Sequence, residues 1–199
     1  MRRLQLLLIC ICFSSITKTF AQESKEFFTA MQLGYVSSDF NTYKITGINI
    51  SFDKTFKSYE FGFIMNTYSK ENILNEYNLS NPNLNFYMMD IGLKAHKLIL
   101  RSKSKKSSIF LGLVNGLSTS FIYKDGYNYF WTPKYDKVLL TNSFNYFLSP
   151  SVNIEYTLIK NKLAAYTNTQ FKFLFGNTTF SNNSDFNKLS MSIGAKLLL

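Results

Sequence analysis

The residue types that could do chemistry in this chain are few. His96 is the only histidine. Both cysteines, Cys10 and Cys12, lie in the first apolar segment, so the chain beyond it has no thiol nucleophile and no cysteine-based metal site. A lone histidine cannot build a metal centre, and no glycine-rich phosphate loop or cysteine/histidine cluster is present. Neither a cofactor nor a metal is expected. What remains is charge and aromatic surface. Glu60, Asp90, Lys94, Glu155, Lys172 and Lys196 fall on the polar side of alternating stretches. Arg101, Lys103, Lys105 and Lys106 form a basic run that suits lipid head groups or an envelope protein partner, and otherwise reads as a solvated turn. Tyr127, Tyr129, Trp131 and Tyr135 cluster in a segment that also holds Lys124, Lys134 and Lys137. Such rings offer contact area with a polar handle, as recognition surfaces do; the competing reading is an aromatic belt at a strand end.

The elements that position these residues follow from the rest of the chain. Arg2 and Arg3 precede an unbroken apolar run, Leu6 to Phe13, and Thr19-Phe20-Ala21 leads to Gln22. This is the three-part pattern of a secretory signal with cleavage after Ala21. The run is too short to span a bilayer, which takes about 20 apolar residues in a helix. Neither cysteine follows the small residue that lipoprotein processing requires, because Ile9 and Ile11 precede them. Residues 1–21 are read as signal peptide and 22–199 as one domain. Without Arg2, Arg3 and Lys18 the remainder holds 19 Lys+Arg against 12 Asp+Glu. The location this implies makes nucleic acid a poor partner. No second apolar run reaches spanning length, so membrane insertion would require a closed barrel.

Alternation is the recurring pattern. Over 144–158, Phe144, Tyr146, Leu148, Pro150, Val152, Ile154, Tyr156 and Leu158 alternate with Asn145, Phe147, Ser149, Ser151, Asn153, Glu155 and Thr157, a mostly small and polar set. A period of 2 excludes a helix. Residues 163–175 and the final segment, with Leu189, Met191, Ile193 and Leu197 against Ser190, Ser192, Gly194 and Lys196, behave alike. Noisier alternation covers 27–36, 43–53, 58–68, 84–98 and 107–121. The spacing thus predicts eight antiparallel strands. Short connections are expected at 54–57, 99–106 and 159–161, a modest one at 37–42, and longer ones at 69–83, 122–141 and 176–185. Asp125-Gly126 reads as a tight turn within the second long connection.

Two barrels fit this pattern: a soluble lipocalin-like ligand binder, apolar inside, and a membrane barrel, apolar outside. The polar positions decide. They are mostly small, such as Gly62, Gly92, Gly112, Ser149, Ser192 and Gly194, whereas a water-facing wall would be rich in charge. Tyr35, Tyr43, Tyr59, Tyr68, Phe121, Tyr123, Phe144, Tyr156 and Phe171 gather near strand ends, as in interfacial girdles.

With its signal, strand count, turn asymmetry and terminal strand, the chain resembles the small outer-membrane β-barrel family of Gram-negative bacteria (OmpA, OmpX and OmpW type). The resemblance spans nearly all of 22–199 and rests on pattern. It implies an all-β, eight-stranded up-and-down transmembrane barrel in the cell outer membrane, with a non-enzymatic structural or interaction role. It also implies outer-membrane lipid, lipopolysaccharide and the barrel-assembly machinery as partners. The family commonly ends in an aromatic residue; this chain ends on Leu199.

Parity and turn positions then locate the charges. Glu60, Lys94, Glu155 and Lys196 are expected to form a network near the short-turn end of the lumen. Lys172 stands about six residues above Glu155, roughly 20 Å, too far to pair with it. The lumen of so small a barrel is expected to be filled by side chains rather than open. A lipid-modifying outer-membrane enzyme is the remaining alternative. It is disfavoured because His96 falls near the short-turn end and no serine and acid converge with it at the outer leaflet.

Overall fold

A computed structural model describes residues 28–40, 43–73, 84–128, 134–176 and 188–199. The strands are β1 (Ala30–Phe40), β2 (Tyr43–Phe56), β3 (Tyr59–Ile73), β4 (Leu84–Arg101), β5 (Ser107–Asn128), β6 (Lys134–Ile159), β7 (Leu163–Phe171), β8 (Phe173–Phe175) and β9 (Leu189–Leu198). Segments β7 and β8 are two parts of one staff, so nine segments make eight barrel strands. The break falls at Lys172, where Pro150, which has no N–H to give, stands by register opposite Phe171. Each strand pairs antiparallel with its neighbour, β1 pairs with β9, and β5 with β6. The sheet therefore closes on itself and leaves no open edge, the condition for a sheet that crosses a bilayer.

The alternation fixes which side chains enter. Gln32, Asn49, Ser51, Asn66, Ser118, Asn145, Ser149, Asn168 and Ser192 are all buried inside. Leu33, Ile48, Leu113, Leu117, Ile154, Met191 and Ile193 stand outside, with Ile193 64% exposed and Asn49 2%. A polar interior inside an apolar wall is the reverse of a soluble barrel, so the lipocalin-like alternative fails. The outer wall finds its favourable solvent in a bilayer.

The interior has two layers. Toward the long-connection end, Val36, Phe40, Ile45, Ile64, Tyr68, Phe86, Met88, Val114, Phe147 and Leu174 form a buried apolar cluster. Within it the Phe40 and Phe86 rings stack with centroids 4.4 Å apart. Toward the short-turn end the inward residues are polar and charged. Facing glycines make room for rings that cross the interior. Gly34 lies opposite Gly194, and a Cβ on Gly34 would fall 2.3 Å from the Tyr166 hydroxyl. Gly92 lies opposite Gly116, with the tip of Phe147 above it.

Three expectations need correction. The segment 122–141 is mostly strand and not loop: β5 runs to Asn128 and β6 starts at Lys134. Asp125-Gly126 makes no turn, because Asp125 pairs with Lys137 and Gly126 with Asp136, and this continued pairing outweighs the local turn preference. Tyr68 is not a girdle residue; its parity turns it inward, where it is 2% exposed. The strands also extend past the expected ends at 37–42 and 69–73. Residues 1–21, expected to be a signal peptide, lie outside the described residues, as do Tyr129 and Trp131.

Candidate functional site

The charged interior is assembled by parity and by turns. Lys94 on β4 lies opposite Gly62 on β3, and Gly62 lies opposite Asp53 on β2, so the lysine reaches across a residue with no side chain. Its Nζ stands 2.7 Å from Asp53 Oδ1 and 3.1 Å from Glu60 Oε1, and it donates to Ser51 Oγ at 3.3 Å. Lys196 on β9 pairs closely with Glu60 and donates to Glu155 Oε1 at 2.7 Å. Asn153 Nδ2 donates to the same Glu155 oxygen at 2.9 Å. Glu60 is thus the hub between two lysines. The Phe110 ring lies 5.7 Å from Lys196 Nζ. Ions so deeply buried are tolerated only when each has an opposite charge in contact, and here each does.

A second, separate pair lies higher. Lys172 Nζ is 2.6 Å from Asp90 Oδ2 and stands over the rings of Tyr68 (5.4 Å) and Phe147 (5.7 Å). Between the two groups runs an uncharged chain. Tyr166 donates to Asn49 Oδ1 at 2.6 Å, and Asn49 Nδ2 to Asn66 Oδ1 at 2.5 Å.

Glu60, Lys94, Glu155 and Lys196 therefore meet, and Asp90 and Lys172 meet apart from them. Asp53 was missed. Its parity with Asn49 and Ser51 could have found it, but it sat at the expected end of its strand. Ser151 was missed too. His96 is buried and its Nε2 lies 2.8 Å from Ser151 Oγ. Its Nδ1 has no hydrogen-bond partner among the described residues, so the third member of a catalytic triad, the acid that orients the ring, does not contact it. Of the four aromatic candidates, Tyr127 on β5 stands opposite Tyr135 on β6 in register. Among the described residues, no group of three or more metal-ligating side chains is found.

No family model matches the sequence, and no curated protein does. Solved structures do match in shape. Neisserial surface protein A superposes with a TM-score of 0.57 at 12% identity, over 86% of this chain and 96% of that one. The fold is that of the small outer-membrane β-barrels. A second such barrel, the attachment invasion locus protein Ail of Yersinia pestis, was solved in complex with the heparin analogue sucrose octasulfate. It superposes with a TM-score of 0.51 at 9% identity, over 85% of this chain and 96% of that one.

Proposed function

We propose that the chain is a non-enzymatic outer-membrane barrel whose interior is a plug and whose work is done at its ends. The observation that carries this reading is the pair of buried layers. An apolar cluster with Phe40, Phe86 and Phe147 lies above a salt-bridged layer centred on Glu60, and inward-facing side chains of both kinds support a filled interior. Among the described residues, the one serine–histidine contact, His96 with Ser151, is buried on the inward face of the barrel, away from the apolar outer wall. The signal sequence would deliver the chain across the inner membrane. Assembly machinery, outer-membrane lipid and lipopolysaccharide are the partners such a barrel requires.

The β5–β6 ribbon is the surface we assign to recognition. It extends past the belt to the register pair Tyr127–Tyr135, and Tyr129 and Trp131 lie in its tip sequence. A long paired ribbon carries aromatic contact area beyond the lipid.

Planar-bilayer recording tests the plug. The folded chain should insert and give no stable, large conductance. A sustained ohmic current through the wild-type barrel would contradict a filled interior.

A further inference from the structure

We propose that the short-turn end of the barrel is a ring of binding sites for the anionic head groups of phospholipids in the leaflet it meets. The ligand class is a lipid with a net negative phosphodiester, such as phosphatidylglycerol or cardiolipin. The inference rests on the membrane-barrel reading and adds a ligand to it.

The first observation is one-sided charge. The β2–β3 turn carries Lys57, the β4–β5 turn carries Arg101, Lys103, Lys105 and Lys106, and the β6–β7 turn carries Lys160 and Lys162. All seven are exposed. The carboxylate side chains at this end, among the described residues, are Asp53, Glu60 and Glu155, and all three turn inward onto Lys94 and Lys196. Among the described residues, the exposed charged side chains of the three turns are thus all positive. The opposite end is mixed, with Asp39 beside Lys44, and Asp125 and Asp136 among Lys124, Lys134 and Lys137.

The second observation is conformational. Each of the three turns needs a residue in the left-handed region. The β6–β7 turn uses Asn161 (φ 56°), a residue suited to it, but the others use Lys57 (φ 53°) and Lys105 (φ 57°). Glycine or asparagine would hold those positions at less conformational cost. Lysine at both sites therefore carries a local conformational cost that points to a role for its charge.

The third observation sets the depth. Exposed Ile99 and Leu100 adjoin Arg101, and exposed Leu158 and Ile159 adjoin Lys160, so the cations begin where the apolar wall ends. Lys57 Nζ lies 5.3 Å from the Phe56 ring centre and Lys97 Nζ 5.9 Å from that of Tyr59. Amines at the edge of an aromatic belt sit at head-group level. The three turns also occupy alternate seams of the closed sheet. The cations are therefore spread over three of the four seams at this end, which fits an annulus of lipid better than the single patch a protein would grip.

The test reconstitutes residues 22–199 in nanodiscs of phosphatidylcholine mixed with phosphatidylglycerol and counts retained lipids by native mass spectrometry. Wild type should retain phosphatidylglycerol preferentially, and the preference should weaken with salt. A rim variant combines K57N, K105N, R101Q, K103Q, K106Q, K160Q and K162Q; asparagine suits both left-handed sites, so the turns should still form. A single surface cation is worth about fivefold in anionic-lipid binding, so the rim variant should lose tenfold or more of the preference. The opposite-end variant K124Q/K134Q/K137Q should keep it. Equal retention by wild type and rim variant, or no wild-type preference, would overturn the proposal. So would capture of an acidic periplasmic protein by these lysines with lipid preference unchanged. A chain that gives no heat-shifted gel band in any lipid has failed to form a membrane barrel, and that outcome removes the underlying reading as well.

Discussion

Lys196→Met should be among the most destabilising substitutions in the barrel wall. Lys196 holds Glu60 and Glu155 together at the short-turn end. Methionine preserves the volume and removes the charge. The buried Asp53 and Glu60 would then share Lys94 alone, and the half-buried Glu155 would lose its cation. Removing one partner of a buried pair costs about 3–5 kcal/mol, because the other ion stays buried without compensation. The urea midpoint of the barrel folded in vesicles should fall accordingly. Glu60→Gln in the same chain should recover much of the loss, since the hub carboxylate is then neutral. The two substitutions touch one network, so their coupling should exceed the roughly 0.5 kcal/mol within which independent sites add. Additive losses would mean that the lysine and the hub glutamate do not share an energetic contact.

Gly34→Val should impair closure itself. Gly34 sits on the seam where the first strand meets the last, opposite Gly194. A Cβ there would lie 2.3 Å from the Tyr166 hydroxyl and 2.5 Å from the Ile193 carbonyl oxygen. The hydroxyl can move, though it would give up its 2.6 Å bond to Asn49. The carbonyl belongs to the neighbouring strand and cannot move without opening the ladder. The cost should reach or pass the upper end of the about 1–3 kcal/mol typical of overpacking. In heat-modifiable gels the compact band should fade or vanish. Adding Tyr166→Phe to Gly34→Val should rescue only part of the loss, because the backbone clash persists. Full rescue would assign the whole effect to the hydroxyl.

The legible and illegible parts of this molecule divide along physical lines. Strand parity is a property of sequence alone, and the turns at Lys57, Lys105 and Asn161 fall where polar, charged residues interrupt the pattern. Together these set the face and the depth of Glu60, Lys94, Glu155 and Lys196, so their meeting could be reasoned without coordinates. Asp53 escaped because depth reasoning depends on where a strand stops, and strand ends carry no sharp signal. The partner of Lys172 is harder still. Asp90 lies on a strand that is not its neighbour in the sheet. A contact across the lumen depends on barrel tilt and stagger, which alternation does not encode. Tyr68 was misassigned for a related reason. Aromatic type suggested a girdle, but parity put the ring inside, where Lys172 and the apolar cluster surround it. Asp125-Gly126 misled in the opposite sense, as a local turn signal overridden by twenty-two residues of paired strand.

An inverted barrel, polar within and apolar toward lipid, makes a direct prediction for each residue of its last strand. Both natural cysteines precede residue 22, so single cysteines can be placed along β9 without background. Each is labelled with a fluorophore and challenged with a quencher attached to a lipid tail. Quenching should be strong at Leu189, Met191, Ile193, Ala195 and Leu197 and weak at Ser190, Ser192 and Lys196, alternating residue by residue. Quenching that peaks at the serines, or that shows no period of two, would contradict the barrel described here.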